Sequence, residues 1–134
     1  GGIRAVLQAA ISTTDADFVV KLIDVWPDNT EYPGYQMLVR GDIMRGRYRR
    51  SFSAPEPFTP GEPTEVAFTM PDIAHTFRKG HRIMVQVQSS WFPLANPQQF
   101  VDIYRCAASD FIPCDVRISH DRRRPSRLEV LRLR

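Results

Sequence analysis

His75, His81 and His120 are the only histidines of the 134-residue chain, and Ser89 and Ser90 form an adjacent pair at the end of an alternating apolar run. A serine-histidine-aspartate set can be drawn on paper from Ser89 or Ser90, His81 or His120 and one of the aspartates. Such a set acts only where the fold brings nucleophile, base and orienting carboxylate into hydrogen-bonding reach, and composition does not supply that. The elbow G-x-S-x-G that exposes a nucleophilic serine is missing, and so is a Gly-rich phosphate loop. His75 and His81 stand six residues apart across Gly80, unlike the i, i+4 pair that binds zinc on one helix face. We therefore expect no catalytic residue, no cofactor and no metal, with the histidines at structural turn or edge positions.

Cys106 and Cys114 are separated by a loop short enough to bring their α-carbons within the ~4.4 to 6.8 Å that a bridge requires. Two free thiols are the expectation, because two cysteines make no framework and no secretory signal marks an oxidising compartment. Trp91 and Phe92 sit in SSWFPLANP, a Pro-stiffened loop after a strong strand pattern. Aromatics so placed can stack on a sugar, dock on another domain or cap the chain's own core.

Sixteen of the 18 basic residues are arginine, and residues 115–134 hold seven of them against Asp115, Asp121 and Glu129. Read for function, RRRPSR is a phosphate or nucleic-acid patch, since clustered guanidinium groups displace counterions from a phosphate backbone. Read for structure, it is a solvated turn or a stretch with an intramolecular carboxylate partner. No aromatic beyond Phe111 offers a base-stacking surface, so the turn is expected and nucleic acid is not a partner. The longest apolar runs stop well short of the ~20 residues that span a bilayer, so no membrane segment is expected.

The elements that must position these groups read as strands. Short segments alternate with period two and are separated by Pro, Gly, Asp and Asn, the pattern of an antiparallel β protein in one domain over residues 1–134. Residues 4–11 make a first strand, and ADFVVKLIDVW carries apolar residues on both faces, as a central strand does. Residues 35–49 resume as extended chain with Gly41 and Gly46 as bulge or bend sites. Four prolines within residues 51–64 forbid helix and central strand, which makes that stretch a crossover between sheets. TEVAFTM points Val66, Phe68 and Met70 inward, PDIAHTFRKGH is a helical turn or loop ended by Gly80, and RIMVQVQSS puts Ile83, Val85 and Val87 on one face with the other face wet. IYRCA, CDVRIS and SRLEVLRL complete eight strands, with a register change expected near Val130 and Leu131. Unequal loops favour a two-sheet sandwich, a jelly roll in particular.

Taken in order, ISTTDADFVVKLIDVWPD, LVRGDIMRGRYR, PEPFTPGEPTEVAF, FRKGHRIMVQVQSSWFP, NPQ and SRLEVL resemble the C-terminal domain of the X-Pro dipeptidyl-peptidase and cocaine esterase superfamily. GHRIMVQVQSSWFPLANPQ is most similar to the α-amino-acid ester hydrolase and glutaryl-cephalosporin acylase branch. The resemblance implies a jelly-roll β-sandwich of the galactose-binding-like type that follows an α/β-hydrolase domain, with the catalytic serine, aspartate and histidine all upstream. It carries no catalytic residue onto this sequence. It implies a contact with the hydrolase domain of the same polypeptide, or a homo-oligomer interface, through Ser89, Ser90, Trp91, Phe92, Pro93 and Asn96. It also implies shaping roles for the turns at Asp15–Asp17 and Gly80–Arg82. The chain departs from the pattern in the shortened stretch LAN after Phe92–Pro93, in the basic RRRPSR, and in lacking a proline near its close. The expectation is a non-catalytic accessory domain of a serine hydrolase. The alternative is an autonomous carbohydrate-binding module of the same fold, with Trp91 and Phe92 as its platform.

Overall fold

Alternating Val, Ile, Leu and Phe give each extended segment one face that must leave water, and two sheets packed face to face satisfy that for all of them. The computed structural model describes residues 1–94 and 105–132. Its strands are β1 (Ile3–Ile11), β2 (Asp17–Val25), β3 (Gln36–Arg45), β4 (Thr64–Met70), β5 (Arg82–Gln88), β6 (Val116–Ser119) and β7 (Arg127–Val130). One sheet has the order β4-β1-β6, with β7 also pairing β1, and the other has the order β3-β2-β5; every pairing is antiparallel. β2 is central, as its two-sided apolar pattern requires.

The core lies between the sheets. Ile3, Ala5, Leu7, Ala9 and Ile11 of β1 face Phe18, Val20 and Leu22 of β2, with Val66, Phe68 and Met70 of β4 beside them. Small residues alternate with large ones across the ladder, Ala5 standing opposite Phe68, so the layers interdigitate. The proline-rich stretch crosses from β3 to β4 and therefore from one sheet to the other, and it drops Phe58 into the core 6.0 Å from the Phe18 ring.

Several expectations are corrected. The extended segment at residues 35–49 ends at Arg45 and turns through a 3-10 segment at Gly46–Tyr48. Gly46 is a bend site as expected, and a β-carbon there would lie 2.5 Å from the Ala16 carbonyl, so the close approach requires glycine. The irregularity in β3 is at Val39, which falls between the pairs Leu22↔Arg40 and Ile23↔Leu38, rather than at Gly41. Seven strands, not eight, are present among the described residues. In IYRCA, Ile103 and Tyr104 lie outside the described residues, and Arg105–Ala107 is turn and coil leading into a 3-10 segment at Ala108–Asp110. Residues 71–81 take the loop form of the two expected, closed by Gly80 at φ 90°. Ile83, Val85 and Val87 share the core-side face of β5, yet they are 65%, 46% and 37% exposed. β5 is the outermost strand of its sheet, so among the described residues that row is only partly covered.

β6 and β7 run along the same side of β1, one after the other: Ile11 to Gln8 pair with β6, and Val6 to Ile3 pair with β7. They amount to one long strand interrupted by residues 120–126. The interruption is stitched shut where the Ser126 N–H and hydroxyl both donate to the Ser119 carbonyl and the Gln8 N–H donates to the Ser126 hydroxyl. The register change expected near Val130 and Leu131 is not found there: β7 pairs with β1 in constant register and ends at Val130, and the break lies upstream at residues 120–126.

Candidate functional site

β5 delivers the SSWFP loop at the end of the sandwich where β2 begins, because Gln88 pairs with Val19. The loop's two aromatics then take opposite courses. Lys21 of β2 and Gly41 of β3 are register partners, and the Trp91 indole lies against both. Lys21 Nζ is 4.7 Å from the ring centroid, and a β-carbon on Gly41 would come within 2.6 Å of Cη2. Gly41 leaves the space into which the ring settles, and the ammonium above the π face adds a cation–π attraction. Phe92, joined to Pro93 by a cis peptide bond, is 85% exposed, and Leu94 is 72% exposed.

Ser89 and Ser90 are exposed and edge a hollow of about 360 Å³ walled by Phe18, Val87, Cys114 and Ile118. Of the six residues expected to make the contact, Ser89, Ser90, Phe92 and Pro93 are at the surface and Trp91 anchors the loop. Asn96 lies outside the described residues. A two-ring sugar platform is not formed, since Trp91 is partly buried on its own sheet.

The two outer faces of the sandwich differ. On the first sheet, Arg4 and Arg127 both pair with Glu129, and Gln8 donates to Glu65, so this face is charged and wet. These arginines hold the Glu129 carboxyl below the usual glutamate range, the Arg4 hydrogen bond being the larger cause and the Arg127 bond the next. On the second sheet, Ile23 and Val25 are buried, Ile23 standing opposite Leu38 and Met84, and Leu38 remains half exposed.

A buried carboxylate that the sequence reading passed over organises the other end. Asp24 accepts from His75 Nε2 at 3.0 Å and from His81 Nδ1 at 2.8 Å, and all three side chains are largely buried. His81 also packs on Trp26, and His75 meets the Phe77 ring edge-on. An aspartate-histidine pair is two-thirds of a triad, but among the described residues no serine or cysteine bonds either ring. His120 is exposed in the β6–β7 interruption, opposite Pro125. Among the described residues no group of three metal-ligating side chains exists either. The signal available in the sequence was Asp24 itself, a carboxylate inside a run of buried apolar residues that must find donors.

The aspartates of the turn before β2 serve the fold in the same way. Asp15 accepts from the Arg47 backbone N–H and its guanidinium at 3.1 and 3.2 Å, and Asp17 accepts from Arg45 at 3.0 Å. They fasten the end of β3 to the start of β2. Cys106 and Cys114 are both free thiols, and Cys114 Sγ accepts from the Thr13 hydroxyl.

The comparisons with known proteins agree with this geometry. The family model described as the X-Pro dipeptidyl-peptidase C-terminal non-catalytic domain matches residues 1–129. Cocaine esterase of Rhodococcus sp. (strain MB1 Bresler) is 42% identical over 93 residues, which is 69% of this chain and 15% of that protein. Two solved structures superpose with a TM-score of 0.87 at 43% identity over 96% of this chain, an aminopeptidase from a marine sediment archaeon, Thaumarchaeota archaeon, and an α-amino acid ester hydrolase. The chain spans 22% of each of those two. This two-sheet sandwich, in which no nucleophile is assembled among the described residues, is matched along nearly its whole length and belongs to the family of X-Pro dipeptidyl-peptidase C-terminal non-catalytic domains.

Proposed function

We propose that this chain is the accessory β-sandwich of a larger serine hydrolase acting on esters, amides or peptides, and that its own role is contact rather than chemistry. The observation that carries the reading is the match of 96% of the chain to 22% of an ester hydrolase and of an aminopeptidase, at 43% identity. The acyl-enzyme chemistry of such a hydrolase would reside on residues outside this sequence. The sandwich would pack on the catalytic domain, stabilise it and help wall the substrate cleft or a subunit interface.

The outer face of the second sheet suits that contact better than the first. Leu38 and Phe92 offer apolar surface there, with Trp91 holding the SSWFP loop in place, whereas the first sheet presents Arg4, Arg127 and Glu129 to water. Interfaces concentrate their energy in such aromatic and apolar anchors. Ser89, Ser90, Pro93 and Asn96 would form the polar and stiffening surround.

The test has two parts. The purified chain should turn over neither p-nitrophenyl acetate nor glycyl-prolyl-p-nitroanilide, and an antibody raised against it should detect a natural polypeptide several times its 15.4 kDa. A natural product of 15.4 kDa whose hydrolytic turnover disappears on His81→Ala would overturn the reading.

A further inference from the structure

The tip of the β6–β7 interruption is the most concentrated charge on the molecule. Arg122, Arg123 and Arg124 are consecutive and exposed, and their guanidinium groups bond no carboxylate among the described residues. By contrast, Arg4, Arg45, Arg47, Arg49, Arg50 and Arg127 each reach an Asp or Glu side chain. Within RRRPSR, Arg127 takes a carboxylate partner, Glu129, and the three tip arginines take none among the described residues.

The tip is also held in shape. Asp121 Oδ1 accepts the backbone N–H groups of Arg123 at 2.8 Å and Arg124 at 3.0 Å. Below it, His120 bridges to Pro125, and Ser126 stitches the stem to Ser119. The two backbone bonds hold the Asp121 carboxyl below the ordinary aspartate range, so its charge persists while its Oδ1 faces the backbone. Three cationic forks therefore fan from a rigid stem around an open concavity of about 600 Å³. Little backbone freedom remains to be lost when they engage a partner.

We propose that Arg122, Arg123 and Arg124 form a docking tip for an acidic protein surface, a cluster of Asp and Glu carboxylates. Guanidinium forks match carboxylates bidentately, and a compact set of three suits a local cluster of them. A nucleic acid fits less well. A phosphate backbone calls for a basic stripe, and an unpaired strand calls for stacking rings. The stretch from residue 115 instead carries Asp115, Asp121 and Glu129 and no aromatic. The proposal is independent of the SSWFP loop and of the hydrolase reading.

The experiment titrates the isotope-labelled chain with poly-L-glutamate at low and at physiological salt, reading arginine side-chain and residue 120–126 backbone resonances. Two triple variants are compared, Arg122→Gln with Arg123→Gln and Arg124→Gln, and the charge-matched Arg78→Gln with Lys79→Gln and Arg82→Gln. The tip variant should bind about tenfold more weakly with an unchanged melting temperature, and the charge-matched variant should bind as the parent does. Replacing the three tip arginines by lysine should restore part of the loss, because charge returns without the fork. Equal weakening of both Gln variants would overturn the proposal by reducing the effect to net charge. It is also overturned by no binding at low salt, or by tighter binding of a mixed-sequence DNA duplex or of phosphatidylserine vesicles through the same three residues.

Discussion

Trp91 rests where Gly41 has no side chain. The indole Cη2 occupies space that a β-carbon on Gly41 would approach to 2.6 Å, and the ring shares that site with Lys21, the register partner of Gly41. Gly41→Ala should therefore lift the indole from the sheet or strain β3. The expected loss is about 1–3 kcal/mol in urea denaturation, the ordinary cost of overpacking. In a Trp26→Phe background the emission of the remaining tryptophan should shift to the red. Unchanged emission would contradict this placement of Trp91.

Phe92 provides the contrasting case. At 85% exposure it contributes little to the chain's own packing, so Phe92→Asp should leave the stability of the isolated chain within about 0.5 kcal/mol. Placed in the whole hydrolase polypeptide, the same change should lower the melting temperature or the hydrolytic rate. Equal behaviour of parent and variant in both settings would remove Phe92 from the contact.

Asp24→Asn should cost about 1–3 kcal/mol, because the replacement offers one oxygen where two imidazole N–H groups now find acceptors. Urea denaturation gives the stability, and hydrogen exchange should show residues 71–81 opening more than the β1–β4 ladder. Uniform loss of protection across the whole chain would mean that the carboxylate supports the core at large instead of the connector.

Asp15→Ala should be the more damaging carboxylate change. It removes the carboxylate that pairs with Arg47, whose side chain is 10% exposed, and removing one partner of a buried pair costs about 3–5 kcal/mol. Arg4→Ala at the exposed Glu129 pair should be close to neutral. Denaturation midpoints of the two variants measure the contrast, and similar midpoints would show that the Asp15 pair behaves as a surface one.

The pH dependence follows from Glu129 and Asp121, whose carboxyls are held below their ordinary values of 4.5 and 3.8 by the Arg4 side chain and by the Arg123 backbone N–H respectively. A lowered value in the folded state means that the folded chain binds these protons less readily than the unfolded one. The stability they contribute is complete above the ordinary values and is lost as the pH falls through the lowered ones. Glu129→Gln should therefore be less stable than the parent at neutral pH, and the two should converge in acid. Thermal melts across that range check the sign, and a gap that widens in acid would refute it.

The strands were legible because alternation is local: β1, β2, β4 and β5 follow from spacing within nine residues or fewer. Sheet order is not local, which is why Ile83, Val85 and Val87 were read as simply inward when their strand lies at an edge. The Asp24 cluster joins residues 51 and 57 positions apart, and the Trp91 site depends on the register of β2 with β3. Neither can be computed from any window of sequence. The motifs that carried the family resemblance identified the SSWFP loop as a unit, but they did not separate the ring that turns in from the ring that faces water.

The interruption between β6 and β7 makes this sandwich a natural graft point. Seen from β1, the ladder passes from Ser119 to Arg127 with the stem sealed by Ser126, so the core does not register how long the detour is or what it displays. A peptide inserted between Arg122 and Arg124 would hang from the sheet edge at little energetic cost to the domain. Evolution has the same freedom, because substitutions at the tip can retune what the surface attracts while the buried apolar residues of the core stay as they are.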